Sequence, residues 1–170
     1  AEACVLSFEG PQMQVPPMYS ALKVDGKKLV DLARRGIEVE RKAREVIFSD
    51  IEILETDLPR VRFRVTCSKG AYIRTLCEDI GMKLGCGGCM ESLLRTRTGR
   101  FEISEALTLD EISEKVSEGD LSFVMPIDKF FDEYPKVQVP ENLDADIRNG
   151  NRFELRGLSD IPNKKVRVYS

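Results

Sequence analysis

The sequence predicts an α+β fold in which an antiparallel pair of strands leads into a helix. The predicted strands are Val46–Leu54 and Arg60–Cys67, and residues 61–67 alternate apolar and polar side chains, the pattern of a strand buried on one face. Apolar residues then recur at spacings of three and four from about Tyr72 to Leu84. This spacing predicts an amphipathic helix with one apolar face: Ile73, Leu76, Cys77, Ile80 and Leu84.

The segment before these strands is predicted to be extended and then helical. Three prolines favour extended backbone near its start: Pro11, Pro16 and Pro17. Lys27–Arg35 then predicts a short helix that ends at Gly36. Because few of its residues are apolar, we expect this helix to be mobile when nothing covers it.

The remainder of the chain is predicted to hold a loop, two helices and a small β-rich unit. Glycines after residue 84 mark the loop, and Met90–Leu94 predicts a short helix. Thr108 and Glu111 form a capping-box pattern, so a helix should run from there to Gly119. Beyond Pro126, short apolar pairs and turn residues predict a β-rich unit that ends in the strand Val166–Tyr169. The predicted domain boundaries are therefore 1–125 and 126–170.

Composition limits the classes of function. A chain of 170 residues with 42% apolar residues can bury one ordinary core, with or without a small appendage. No signal peptide or apolar run long enough to span a membrane is visible, so we expect a cytoplasmic protein that does not bind membranes. The absence of histidine excludes serine–histidine and cysteine–histidine catalysis and imidazole metal ligation within this chain.

Charge is concentrated in one segment. The net charge is only -3, but residues 23–44 contain eight basic and four acidic residues. A phosphate backbone would find its counter-charge there. The basic run of Arg95, Arg97 and Arg100 is consistent either with a solvated surface or with the lining of a groove.

The junction between the second strand and the helix carries a cluster of polar side chains. Lys69, Tyr72 and Arg74 lie within one loop and one helical turn, and Gly70 permits a turn between them. Such junctions place side chains at pockets. The structural alternative is that Arg74 only pairs with a carboxylate such as Glu78 or Asp79.

Cys86 and Cys89 form a Cys-x-x-Cys pattern that is typical of zinc or redox sites. A structural zinc usually needs four ligands, and a redox motif should open a helix after a strand rather than follow one. Five cysteines, an odd number, do not indicate a disulfide framework. The two glycines between Cys86 and Cys89 favour a tight turn, so we expect no metal.

Four motifs in one order resemble a known family. They are Pro16-Pro17-Met18-Tyr19-Ser20-Ala21-Leu22-Lys23-Val24-Asp25-Gly26-Lys27-Lys28-Leu29, then Leu32-Ala33-Arg34-Arg35-Gly36, then Cys67-Ser68-Lys69-Gly70-Ala71-Tyr72-Ile73-Arg74-Thr75-Leu76 with Asp79-Ile80-Gly81, then Leu93-Leu94-Arg95-Thr96-Arg97-Thr98-Gly99. Together they resemble the bacterial TruB family of tRNA pseudouridine synthases.

The resemblance implies isomerisation of a uridine in the T-arm loop of tRNA. The N1 glycosidic bond is broken, the uracil turns, and it is rejoined through C5, with no metal or cofactor. The target base must leave its stack, so the enzyme is expected to flip it into a pocket. The implied partner is the T-arm stem-loop of tRNA, and the implied full-length protein is a monomer with a mixed or antiparallel sheet in its catalytic domain.

The resemblance also implies roles for individual residues. Arg74 would pair with the catalytic aspartate and hold it ionised, since a guanidinium lowers the pKa of an adjacent carboxyl. Leu93 would form a pocket wall, and Tyr72 would also lie at the pocket. Residues of about 17–45 would form a thumb that closes over RNA. The implied phosphate contacts are Lys23 and Arg34, with Lys69 and Arg95 as further candidates.

The sequence departs from the family pattern at the aspartate. The family's catalytic aspartate lies in an Asp-Pro motif, and this chain contains no Asp-Pro dipeptide. Residues 126–170 resemble the start of an incomplete PUA-like RNA-binding domain. We therefore expect a central and C-terminal portion of a longer enzyme, inactive by itself. The alternative function is a non-catalytic RNA-binding module.

Overall fold

A computed structural model describes residues 1–152 and 165–169, which form two compact units. The first unit is Ala1–Arg95 and the second is Thr96–Ser170. The first contains helices α1 to α3 and strands β1 to β5, in chain order: α1 Glu2–Leu6, β1 Gly10–Gln14, β2 Lys23–Val24, β3 Lys27–Lys28, α2 Leu29–Ala33, β4 Arg44–Asp57, β5 Arg60–Cys67 and α3 Ile73–Leu84.

A three-stranded antiparallel sheet in the order β1-β4-β5 is the centre of the first unit. Phe48 on β4 lies opposite Gly10 of β1 on one side and Cys67 of β5 on the other. Helices α1 and α3 contribute to the core that packs with this sheet, because their apolar side chains join those of β4. The core residues are Val5, Phe8, Val46, Phe48, Ile51, Leu76 and Ile80.

The predicted strand pair and helix are confirmed. Strand β4 is longer than the predicted Val46–Leu54, whereas β5 has the predicted bounds and α3 begins one residue later than predicted. Alternating residues of β5 pack against the core, as the sequence pattern indicates: Val61, Phe63 and Val65. At the end of α3, Gly85 adopts a left-handed conformation with φ +77°, which suits a helix C-terminus.

Two sequence predictions about helices are corrected. Lys27 and Lys28 belong to the β2–β3 hairpin rather than to a helix, so α2 is only Leu29–Ala33. The cause is the Asp25-Gly26 turn, whose positive φ values of +49° and +78° reverse the chain. Residues 90–94 are not helical. The preceding loop folds back onto α3 through backbone hydrogen bonds, from the amides of Cys86 and Gly87 to the carbonyl of Gly81, and no helix follows.

The second unit contains shorter elements. They are β6 Arg97–Thr98, β7 Phe101–Glu102, α4 Leu109–Ser117, β8 Lys136–Gln138, α5 Asp144–Arg148 and β9 Arg167–Tyr169. The predicted capping box is confirmed: Thr108 Oγ1 accepts from the Glu111 amide, and the Glu111 carboxylate accepts from the Thr108 amide. The predicted C-terminal strand is β9, which pairs in parallel with β8. The PUA-like assignment of 126–170 stays a prediction, and its residues 153–164 lie outside the described part of the chain.

Candidate functional site

The turn between β5 and α3 is held against the neighbouring strand by Ser68. The Ser68 amide donates to the Ile47 carbonyl, and Ser68 Oγ accepts from the Ile47 amide, both at 2.9 Å. Gly70 follows with φ +90°, a conformation that glycine adopts without strain. Lys69 is exposed on this turn. The backbone therefore enters α3 along a defined path, which positions Tyr72 and Arg74.

A buried glutamine on β1 fixes the start of α3. The Gln14 side chain is 3% exposed, and its Oε1 accepts from the Tyr72 amide at 2.8 Å. Gln14 Nε2 donates to the Tyr72 carbonyl at 3.0 Å. Both ends of one side-chain amide thus bind the backbone of Tyr72. Sequence reasoning missed Gln14, because its partner is 58 residues away along the chain.

Replacing Gln14 with alanine should destabilise the first unit by about 1–3 kcal/mol, since the Tyr72 amide would lose its partner inside the protein and the Tyr72 carbonyl would keep only the Leu76 amide. Gln12→Ala is the matched control on the same strand. Gln12 is only half-buried and makes one bond, from its Nε2 to the Phe8 carbonyl. Urea unfolding followed by circular dichroism measures both variants. Equal losses of stability would contradict the role assigned to Gln14.

Arg74 lies in the first turn of α3 and binds a backbone carbonyl. Its Nη2 donates to the Tyr19 oxygen at 2.6 Å, and its side chain is exposed. Within residues 1–152 and 165–169, no carboxylate lies within ion-pair distance of Arg74. Burial raises the pKa of Asp79, and the nearby Glu78 raises it further. Pairing with a guanidinium would lower that pKa, so the structural alternative with Asp79 is not observed.

The β2–β3 hairpin and α2 form an open groove lined with basic side chains. The groove has a volume of about 370 Å³ and is lined by Lys23, Gly26, Lys27, Lys28, Asp31, Leu32 and Arg35. Lys23 lies directly opposite Lys28 in the hairpin register. Like charges in that position repel, and a bound anion would relieve the repulsion. The structure therefore places Lys23 with three other basic residues of this groove, whereas Arg34 is exposed outside its lining.

Two leucines anchor the basic hairpin. Leu29 is completely buried and Leu32 is buried, so α2 has a firmer apolar contact than its composition indicates. The Leu29 amide donates to the Leu22 carbonyl at 2.8 Å, and the Val30 amide donates to the Ser20 carbonyl at 3.1 Å. Since Arg74 binds Tyr19, the start of α3 is joined to the base of the same segment. The mobility predicted for this helix stays a prediction.

The segment after α3 carries the remaining predicted site residues. Leu93 is 57% exposed and Arg95 is exposed, in a stretch without helix or strand. Arg60 on β5 forms an ion pair at 3.1 Å with Glu91, which attaches this stretch to the sheet. No group of three or more metal-ligating side chains occurs within the described residues, and all five cysteines are free thiols.

No helix among the described residues combines the length and the apolar character needed to cross a membrane.

Comparison with known proteins gives two matching family models that follow one another along the chain. Residues 1–73 match the TruB family pseudouridylate synthase N-terminal domain, and residues 74–132 match the tRNA pseudouridylate synthase B C-terminal domain. Tyr72 and Arg74 therefore lie on either side of the boundary between the two matches.

Curated relatives and one solved structure agree with these matches. The tRNA pseudouridine synthase B of Clostridium kluyveri is 47% identical over 167 residues, and that of Clostridium tetani is 44% identical over 168 residues. The matches cover 97% and 98% of this chain but 57% of each relative. A chain of the crystal structure of a Cbf5-Nop10-Gar1 complex matches with a TM-score of 0.62 and 30% identity, covering 88% of this chain and 43% of that chain.

The fold comparison confirms the predicted α+β class, and the family matches confirm the resemblance inferred from the four motifs. The chain spans a little more than half the length of the curated relatives that it matches. Both family models describe the same group of enzymes and together cover residues 1–132. This chain therefore belongs to the TruB family of pseudouridylate synthases.

Proposed function

We propose that this chain is part of a tRNA pseudouridine synthase that isomerises a uridine in the T-arm loop of cytoplasmic tRNA. The observation that carries the proposal is the state of Arg74. Its guanidinium is exposed, binds one backbone carbonyl and has no carboxylate partner among the described residues. An arginine in this position is available to a carboxylate from outside the present sequence.

The reaction needs a catalytic carboxylate, which the family carries in an Asp-Pro motif. The sequence has no Asp-Pro dipeptide. An aspartate brought to Arg74 would be held ionised and oriented by the guanidinium. It would then assist cleavage of the N1 glycosidic bond and formation of the C5 bond. Tyr72 and Leu93 would line the pocket for the displaced base, and no metal or cofactor takes part.

The basic hairpin is the proposed thumb that holds RNA. Lys23 contributes to a groove with a surplus of positive charge, and Arg34 is exposed beside it. Lys69 and Arg95 are exposed in the same unit and would add phosphate contacts. Phosphates are bound mainly through such lysine and arginine side chains, and their binding weakens as salt increases. The proposed partner is the T-arm stem-loop, bound by a monomer of the full-length enzyme.

Removing two thumb charges should weaken RNA binding without unfolding the protein. In Lys23→Ala combined with Arg34→Ala, affinity for a T-arm hairpin should fall, and the slope of log K against log salt should decrease by about 1 to 2, because two phosphate contacts are lost. Filter binding at several salt concentrations measures both. The matched control is Arg62→Ala combined with Arg64→Ala, which removes the same charge from the exposed surface of β5. Equal effects of the two double variants would contradict the thumb assignment.

A chimera tests the isomerase activity directly. The matched 167 residues of the Clostridium kluyveri enzyme are replaced by the corresponding residues of this chain. We expect the chimera to form pseudouridine in the T-arm loop, whereas neither the 170 residues alone nor the remainder of the relative alone should do so. A folded chimera that binds RNA without forming pseudouridine would favour a non-catalytic RNA-binding module. Activity of the isolated 170 residues would show that they contain their own catalytic carboxylate.

A further inference from the structure

The loop that follows α3 packs against that helix through two glycines. A Cβ atom added to Gly81 would lie 2.1 Å from the Gly88 nitrogen, and one added to Gly88 would lie 2.5 Å from the Cys77 carbonyl oxygen. Neither distance leaves room for a side chain. The Gly87 amide also donates to the Gly81 carbonyl at 3.0 Å. The backbone immediately before Cys89 is therefore in contact with the backbone of Cys77.

This packing places the backbone next to Cys89 against the turn of α3 that contains Cys77. Burial raises the pKa of the Cys77 thiol, and the charge of Cys89 raises it further. Cys77 is half-buried on α3, while Cys89 is exposed on the loop. Cys86 is exposed as well, but its Sγ donates to the carbonyl of Gly87 at 3.3 Å. The sequence pattern pairs Cys86 with Cys89, whereas the fold packs the residue before Cys89 against Cys77.

We propose that Cys77 and Cys89 form a reversible intramolecular disulfide when the protein meets a low-molecular-weight organic disulfide. This redox site joins α3, which carries Arg74, to the loop that continues to Leu93. It is independent of the proposed RNA chemistry.

The reaction consists of two thiol–disulfide exchanges. The exposed Cys89, as thiolate, attacks one sulfur of the organic disulfide, whose S–S bond breaks and releases one thiol. Cys77, as thiolate, then attacks the Cys89 sulfur of the mixed disulfide, which releases the second thiol. Two protein thiols are oxidised, one organic disulfide is reduced to two thiols, and both hydrogens lost by the protein end on those products. A dithiol reductant reverses both steps.

The test uses the 170-residue protein with glutathione disulfide as the probe. We expect two of the five thiols to disappear, a mass loss of two hydrogen atoms, and a peptide map that joins Cys77 to Cys89. Dithiothreitol should restore all five thiols. In Cys77→Ser the resolving thiol is absent, so the glutathione adduct on Cys89 should persist. In Cys89→Ser no intramolecular disulfide should form.

Two matched variants act as controls. Cys86→Ser and Cys67→Ser each remove an exposed cysteine outside the proposed pair and should leave the mass loss unchanged. A disulfide between Cys86 and Cys89 in the peptide map would overturn the proposal. It would equally be overturned by five unreacted thiols or by a stable glutathione adduct on Cys89 of the unmodified protein. Cys86 and Cys89 are both exposed, so Cys86→Ser and Cys89→Ser should leave the fold intact. These two variants therefore test the proposal even if Cys77→Ser unfolds.

Discussion

Replacing Arg74 with alanine in the chimera should lower kcat for pseudouridine formation by at least about 100-fold, with little change in affinity for RNA. In the proposed function, the variant leaves the catalytic carboxylate without the cation that holds it ionised and oriented, and a 100-fold loss corresponds to about 2.7 kcal/mol. Arg74→Lys should recover only part of the loss, because lysine keeps the charge but not the planar fork. Single-turnover kinetics with T-arm RNA measures the rate, and filter binding measures the affinity.

A merely structural role for Arg74 would give a different result. Its bond to the Tyr19 carbonyl helps to attach the segment that leads into the β2–β3 hairpin, so structural damage would lower RNA affinity and thermal stability together with the rate. Arg64→Ala is the control, since Arg64 is exposed on β5 and forms a surface ion pair with Glu52. If Arg74→Ala left kcat unchanged, the pairing assigned to Arg74 would be wrong.

Leu76→Ala should destabilise the first unit by about 2–5 kcal/mol, because it opens a cavity in a core that Leu76 shares with Phe48 and Val5. Leu76 is 1% exposed, and its neighbours come from β4 and α1 as well as α3. The measurement is urea unfolding of the 170-residue chain, with the midpoint and slope fitted separately.

Leu84→Ala provides the matched control in the same helix. The apolar spacing assigns Leu76 and Leu84 to one face, but Leu84 is 43% exposed. Its replacement should cost less than about 1 kcal/mol, since little apolar surface returns to water. Similar losses of stability in Leu76→Ala and Leu84→Ala would mean that Leu84 also belongs to the core.

The elements of the first unit show how far local pattern can predict structure. The alternation of β5 and the spacing of α3 predicted both elements almost to the residue, because each pattern repeats over several turns or pairs. The hairpin of β2 and β3 was missed, since strands of two residues contain no period at all. Its only local signal is the Asp25-Gly26 pair, which adopts the turn that a tight hairpin requires.

The residues of the candidate site also divide into those that local pattern predicted and those that it missed. Arg74, Tyr72 and Lys69 were predicted because they share one short segment at a strand-to-helix junction. Gln14 and the Tyr19 carbonyl were not, because each is more than 50 residues from its partner along the chain. Likewise, the sequence pattern drew attention to Cys86 and Cys89, whereas the partner that we propose for Cys89 lies on α3.

The sequence by itself determined the fold class, the strand pair, the long helix, the family and the concentration of basic residues in 23–44. These properties follow from residue type and spacing, which are local or carried by motifs in a set order. Tertiary structure alone decided that Gln14 holds Tyr72, that Arg74 binds the Tyr19 carbonyl with no carboxylate partner among the described residues, and that Gly88 packs against Cys77. Each of these contacts depends on chain closure over many residues, and packing rather than local preference determines which groups meet.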